Sequence, residues 1–98
     1  MVDVRNDTQA VSTTSVEVAI DQEARDGRRT IIIRNTSPNA IDIITLNLGG
    51  RIAVAGSGIV LRQNDVFIDS NDSGYICHQN QIMAICKTIN GTLSIMER

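Results

Sequence analysis

The chain has almost no aromatic side chains: one Phe, one Tyr and no Trp, 2% of its 98 residues. That scarcity argues against nucleic-acid recognition by base stacking, which needs several exposed rings. It also means that any core must be aliphatic, built from Ile, Val, Leu and Ala. Positive charge is scarce as well, with nine Lys and Arg against eleven Asp and Glu and a net charge of −2. A phosphate-binding surface needs a local excess of cations. The densest basic cluster, Arg25, Arg28 and Arg29, is interleaved with Glu23 and Asp26 and reads as a solvated turn. No apolar run approaches the ~20 residues that a membrane-spanning helix requires. The N-terminal stretch MVDVRNDTQAVSTTS is polar and lacks a hydrophobic signal core, so the expectation is synthesis without a secretion signal. Neither nucleic acid nor membrane is therefore expected as a partner. The four Asn-x-Ser/Thr triplets, at Asn6, Asn35, Asn71 and Asn90, then read as turn chemistry.

Histidine and cysteine are nearly missing too. One His and two Cys fall one ligand short of the four that a structural zinc site takes, and neither CxxC nor HxxxH spacing occurs. There is no GxSxG, no HExxH and no Gly-rich phosphate loop leading into a helix. Asp69, Asn71 and Asp72 in DVFIDSNDSG offer hard oxygen atoms for calcium, but without the spacing or terminal Glu of an EF-hand. Of the carboxylates Asp42, Asp65, Asp69 and Asp72, three flank loops, where Asp makes local turns. The expectation is a protein that is not an enzyme, with no catalytic residues, no metal and no cofactor.

What is present is strand pattern. Val16, Val18 and Ile20 alternate with Glu17 and Ala19, and RTIIIRN carries a β-branched run of the kind found where both strand faces are partly covered. Asp26-Gly27 is a hairpin signal, and the single proline, Pro38, lies in the loop NTSPNA. AIDIITLNL restores the strand pattern, and GGRIAVAGSG reads as a long loop or a short irregular strand. RQND and DSNDSG read as a turn and a loop, and NGT leads into the last strand, LSIMER. Roughly seven or eight short strands with turns every ~8–12 residues predict an all-β fold, an antiparallel, jelly-roll-like β-sandwich. Its core is expected from Ile31, Ile33, Ile44, Leu46, Val60, Ile76, Ile85 and Ile95. Residues 15–98 form the domain. Residues 1–14, rich in Asp, Asn, Ser and Thr, read as a flexible arm whose Val2, Val4 and Val11 are candidate partner-binding residues.

The segment GYICHQNQIMAIC holds both cysteines, the histidine and the tyrosine. Cys77 and His78 are neighbours, so on a strand they point to opposite faces and form no dyad. If Gln79-Asn80 is a two-residue turn, Cys77 faces Ile82, and Cys86 shares that face about two cross-strand steps away. That separation exceeds the ~7 Å Cα limit for a disulfide. The segment is thus expected to be a core hairpin with two buried, reduced thiols that pack as small apolar residues.

With the strands placed, RRTIIIRNTSPNAIDIITLNLGG, then GSGIVLRQNDVFIDSNDSGYICHQNQIMAI, then GTLSIMER resembles small structural proteins of tailed-phage virions. The resemblance covers roughly residues 28–98 and is one of strand order and loop grammar. It implies a compact sandwich located in the virion, a capsid decoration (cement) protein that binds the outer capsid surface and stabilises contacts between capsomers. The implied partners are the major capsid protein and further copies of the chain, as a homotrimer. The alternative is a carbohydrate- or receptor-binding module of a phage fibre or spike. Sugar sites usually stack rings, and only Phe67 and Tyr75 are available here.

Overall fold

A computed structural model describes residues 5–19, 29–48, 51–71, 77 and 81–98. The described residues contain eight strands and no helix, hence no helix long and apolar enough to cross a membrane. The strands are β1 (Arg5–Val11), β2 (Val16–Ala19), β3 (Thr30–Asn35), β4 (Ile44–Asn47), β5 (Ile59–Leu61), β6 (Val66–Ser70), β7 (Ile82–Cys86) and β8 (Gly91–Glu97). They form two antiparallel sheets of four, ordered β1-β8-β3-β6 and β2-β7-β4-β5. The fold is all-β, a sandwich of these two sheets.

Alternation explains which face of each strand is buried. In β8, Gly91, Leu93, Ile95 and Glu97 are buried, while Thr92, Ser94 and Met96 are half-buried on the outer face. In β3, Ile31, Ile33 and Asn35 point inward, and Ile32 and Arg34 point outward. From the second sheet come Ile44 and Leu46 of β4 and Ile82, Ala84 and Cys86 of β7, all within one core cluster. Each large aliphatic side chain buried there contributes roughly 1.5–3 kcal/mol relative to its exposed state. A bulge between Glu17 and Ala19 turns both Val18 and Ala19 into that core, so the simple alternation expected for β2 breaks at its end.

Two expected core residues belong elsewhere. Val60 is 40% exposed on the outer face opposite Thr45, and its neighbours Ile59 and Leu61 face inward. Ile85 lies on the outer face of β7, half-buried and also paired with Thr45. Both strands carry apolar residues in either phase, and pairing with β4 selected the phase. The expected core residues Ile31, Ile33, Ile44, Leu46 and Ile95 are fully buried; Ile76 lies outside the described residues.

The N-terminal segment also differs from its expectation. Arg5–Val11 is strand β1, paired with β8 along its whole length from Arg5↔Glu97 to Val11↔Gly91. Val11 is 1% exposed in the chain's own core, which removes it as a candidate for binding a partner. Val2 and Val4 lie outside the described residues. The physical reason is that an edge strand is held by main-chain hydrogen bonds to its neighbour. A polar sequence such as RNDTQA can make those bonds while its side chains stay in water.

Of the hairpin expected at 74–86, only Cys77 and residues 81–86 are described. The second half contains β7, which is flanked by β2 on one side and β4 on the other, and the first half, Cys77 apart, lies outside the described residues. Cys77 is buried. Its amide N–H donates to Asn71 Oδ1 at 2.7 Å, and its thiol lies 3.4 Å from the Asp69 carbonyl oxygen. Neither Cys77 nor Cys86 forms a disulfide. His78 and Tyr75 lie outside the described residues, as does the Asp26-Gly27 turn.

Candidate functional surfaces

Three buried polar residues, Asn35, Ser37 and Asp42, gather at one end of the sandwich, where the first sheet meets the loop before β4; Glu97, also buried, lies at the other end of β8. Asn35 ends the inward series Ile31, Ile33, Asn35 and is fully buried. Its Nδ2 donates to the carbonyls of Asp42 and Leu61, both at 2.9 Å, and its Oδ1 accepts from the Ser37 amide at 2.9 Å. Because Leu61 belongs to β5, this one side chain ties the two sheets together. Ser37 Oγ in turn accepts from the Thr92 amide at 3.0 Å. Asp42 is also fully buried; its carboxylate accepts from the Asn39 amide at 3.1 Å and from the Thr88 hydroxyl.

Thr88 Oγ1 lies 3.7 Å from Cys86 Sγ, so a thiol, a hydroxyl and a carboxylate stand in line. The line ends in the core. Cys86 is 1% exposed, and both Asp42 oxygens are already engaged, so a substrate has no route to the sulfur here. The arrangement satisfies buried polar groups that would otherwise cost ~1–3 kcal/mol each. It works as a clasp for the loops 36–43 and 87–90. The sequence pattern points to turn chemistry at Asn35 and to a strand position at Asp42, and it shows the burial of neither. The available signal was that Asn35 continues the period of Ile31 and Ile33.

Other sequence-selected residues are similarly occupied by local structure. Asp65 Oδ2 accepts from the Arg62 amide at 2.9 Å across the RQND turn, in which Asn64 adopts φ 68°. Asn71 Oδ1 is committed to Cys77, and no group of three His, Cys, Asp or Glu is placed to hold a metal ion among the described residues. Asp72 of the acidic loop lies outside them. Phe67 is half-buried and packs against the core cluster rather than presenting its ring outward.

The two outer faces are finished differently. On the second sheet, Thr45 points outward yet is 1% exposed, because the loop 51–58 lies over it. Gly56 N–H donates to Thr45 Oγ1 at 3.0 Å, and Ala53 N–H donates to Ser15 Oγ at 2.9 Å. A Cβ on Gly58, at φ +134°, would run into the Leu46 carbonyl oxygen, so the loop can come this close only with glycine there. The roof displays Ile52 and Val54 to solvent.

On the first sheet nothing comparable is present among the described residues. Register places Met96, Ile32 and Ile68 side by side across β8, β3 and β6, an apolar row ending at the edge. Ile68 is 63% exposed, and Val66 on the same face is also exposed. No protein-family model matches the chain, and no curated protein matches it significantly.

Proposed function

We propose that the chain is a non-enzymatic structural protein of a tailed-phage virion, a decoration protein that attaches to the outer surface of the capsid. The observation that carries this reading is the nested pairing β1–β8, β2–β7, β3–β6 and β4–β5. A long hairpin rolled up into two four-stranded sheets has this order, and it supports the jelly-roll form that viral capsid proteins commonly use. This is an argument from fold, and the same form occurs in lectin domains. Ring chemistry favours the first: the described aromatic side chain, Phe67, is packed against the core and unavailable for stacking on a sugar. The rest of the surface suits attachment rather than turnover, with apolar side chains exposed at Ile32's row, on the loop 51–58, and at Ile41 and Ile89.

Mass spectrometry of purified virions of the phage whose genome carries the gene tests the proposal. A decoration protein is expected in the mature head at a copy number comparable with that of the major capsid protein. Rebinding of the recombinant chain to heads stripped of it is expected as well. Absence from the virion overturns the reading, and a few copies confined to a fibre, with binding to host glycans, favours the receptor-binding alternative.

A further inference from the structure

We infer that β6 is a self-association edge, at which two copies of the chain join their first sheets in one continuous antiparallel eight-stranded sheet about a twofold axis. The inference rests on main-chain geometry and stands independently of the virion reading.

Half of the main-chain hydrogen-bonding groups of β6 face away from β3. Asn35 N–H donates to the Asp65 carbonyl at 3.0 Å, and Asn71 N–H donates to the Arg29 carbonyl at 2.9 Å. In an antiparallel ladder the pairs that exchange hydrogen bonds alternate with pairs that do not. In the register Ile31↔Asp69, Ile32↔Ile68, Ile33↔Phe67, the bonded pairs are therefore those of Phe67 and Asp69. The other side of β3 agrees, since Thr30 exchanges both bonds with Arg98 of the β8 extension, at 2.9 and 3.0 Å. The amides and carbonyls of Val66, Ile68 and Ser70 must then point away from β3, towards the edge. Among the described residues β6 pairs with no strand but β3.

A twofold axis through Ile68 sets Ile68 against the partner's Ile68, and Val66 against the partner's Ser70. These pairs use every outward-pointing group of β6, about six hydrogen bonds at two per pair. Charge selects the same register. Sliding it to centre on Phe67 opposes Asp65 to the partner's Asp69 twice over, and centring on Asp69 opposes that residue to itself. Like charges directly opposite are destabilising, and only the register about Ile68 avoids them while keeping all three outward residues in pairs. In it the row Met96, Ile32, Ile68 runs on into the partner's Ile68, Ile32 and Met96 without a polar break.

Exposed edges are ordinarily blunted by Lys, Pro or a bulge. β1, at the opposite edge of the sheet, is polar on its exposed positions Asn6, Asp7 and Thr8, whereas VFIDS carries neither Lys nor Pro and its register with β3 is unbroken. A five-residue edge pairing buries well under the ~800 Å² per partner of stable complexes. The dimer is accordingly weak, with a Kd on the order of 10–1000 µM. It is isologous, so it differs from the threefold assembly that the family resemblance implies.

Sedimentation equilibrium of the full chain from roughly 10 µM to 1 mM tests this, since a dimer of that affinity forms within the range. The expected result is an average mass rising from the monomer towards twice the monomer. Ile68→Lys and Ile68→Glu are each expected to weaken association at least ~10-fold, because each places like charges opposite one another. Far-UV circular dichroism should be unchanged, since Ile68 is exposed. An equimolar mixture of the two variants should recover the dimer, as Lys then faces Glu. A wild-type chain that stays monomeric throughout, or forms trimers, overturns the inference. So does a dimer indifferent to Ile68→Lys, or a mixture of the two folded variants that remains monomeric; in those cases the edge is left for a strand of another protein or for solvent.

Discussion

The two sheets have the same number of strands and share one core, yet among the described residues only one of them is roofed by a loop. On β2-β7-β4-β5 the loop 51–58 lies over Thr45, held by Gly56 and Ala53 amides on side-chain hydroxyls. On β1-β8-β3-β6 the row Met96, Ile32, Ile68 has no such cover among the described residues and reaches an edge strand. The difference teaches how little is needed to close a sheet face. Two hydrogen bonds and a glycine at φ +134° bring a loop down on the second sheet. The first sheet, whose outer positions include Thr8, Thr30, Arg34, Ser70, Thr92 and Ser94, leaves an apolar strip that a second copy can continue.

The largest effect is expected where the two sheets are not yet distinct. Asn35→Ala removes a side chain that bonds main-chain groups of Asp42, Leu61 and Ser37, a loss of three buried hydrogen bonds at a cost of roughly 3–5 kcal/mol. Urea unfolding should show that loss in a single transition, with both sheets failing together. A loss below ~1 kcal/mol would mean that water reaches the site and that Asn35 is no clasp.

Gly58→Ala should separate the sheets. A Cβ placed against the Leu46 carbonyl, in a conformation that L residues rarely adopt, costs about 2–4 kcal/mol. The strain falls on the roof. Hydrogen exchange should accelerate in residues 51–61 and β4, while β8 and β3 keep their protection; equal acceleration in both sheets would erase the distinction drawn above.

Thr45→Val is the mildest test. It keeps the shape and the β-branch but strips the Gly56 amide of its acceptor, a loss of about 1–2 kcal/mol if the amide stays buried. The loop 51–58 should become more susceptible to proteolysis with little change in the midpoint of global unfolding. Unchanged proteolysis would show that Ser15 and Gly58 suffice to hold the roof.

Legibility in the sequence followed the contrast between the two faces of each strand. In β8 one phase is Leu93 and Ile95 and the other is Thr92 and Ser94, so the inward face could be read directly. In β7, Ile82, Ala84 and Cys86 compete with Met83 and Ile85, and in β5 a three-residue strand is apolar throughout. Periodicity cannot choose between two apolar phases. The clasp was hidden for a related reason: Asn35 looks like a turn residue and Asp42 like a polar position in a strand, and their burial depends on a carbonyl from β5 and a hydroxyl from the turn before β8.

By itself the sequence determined the class of fold, because short β-branched segments separated by Asn, Asp and Gly turns can bury their apolar faces only as packed sheets. It determined an aliphatic core as well, since the rings to build any other were missing. Tertiary structure alone decided that the polar segment Arg5–Val11 is a strand, because β8 supplied the hydrogen bonds that its composition does not advertise. It also decided the phase of β5 and β7, through their pairing with β4. Finally, it decided which strands form the sheet edges among the described residues, because that depends on strand order, a property of contacts between segments far apart in the chain.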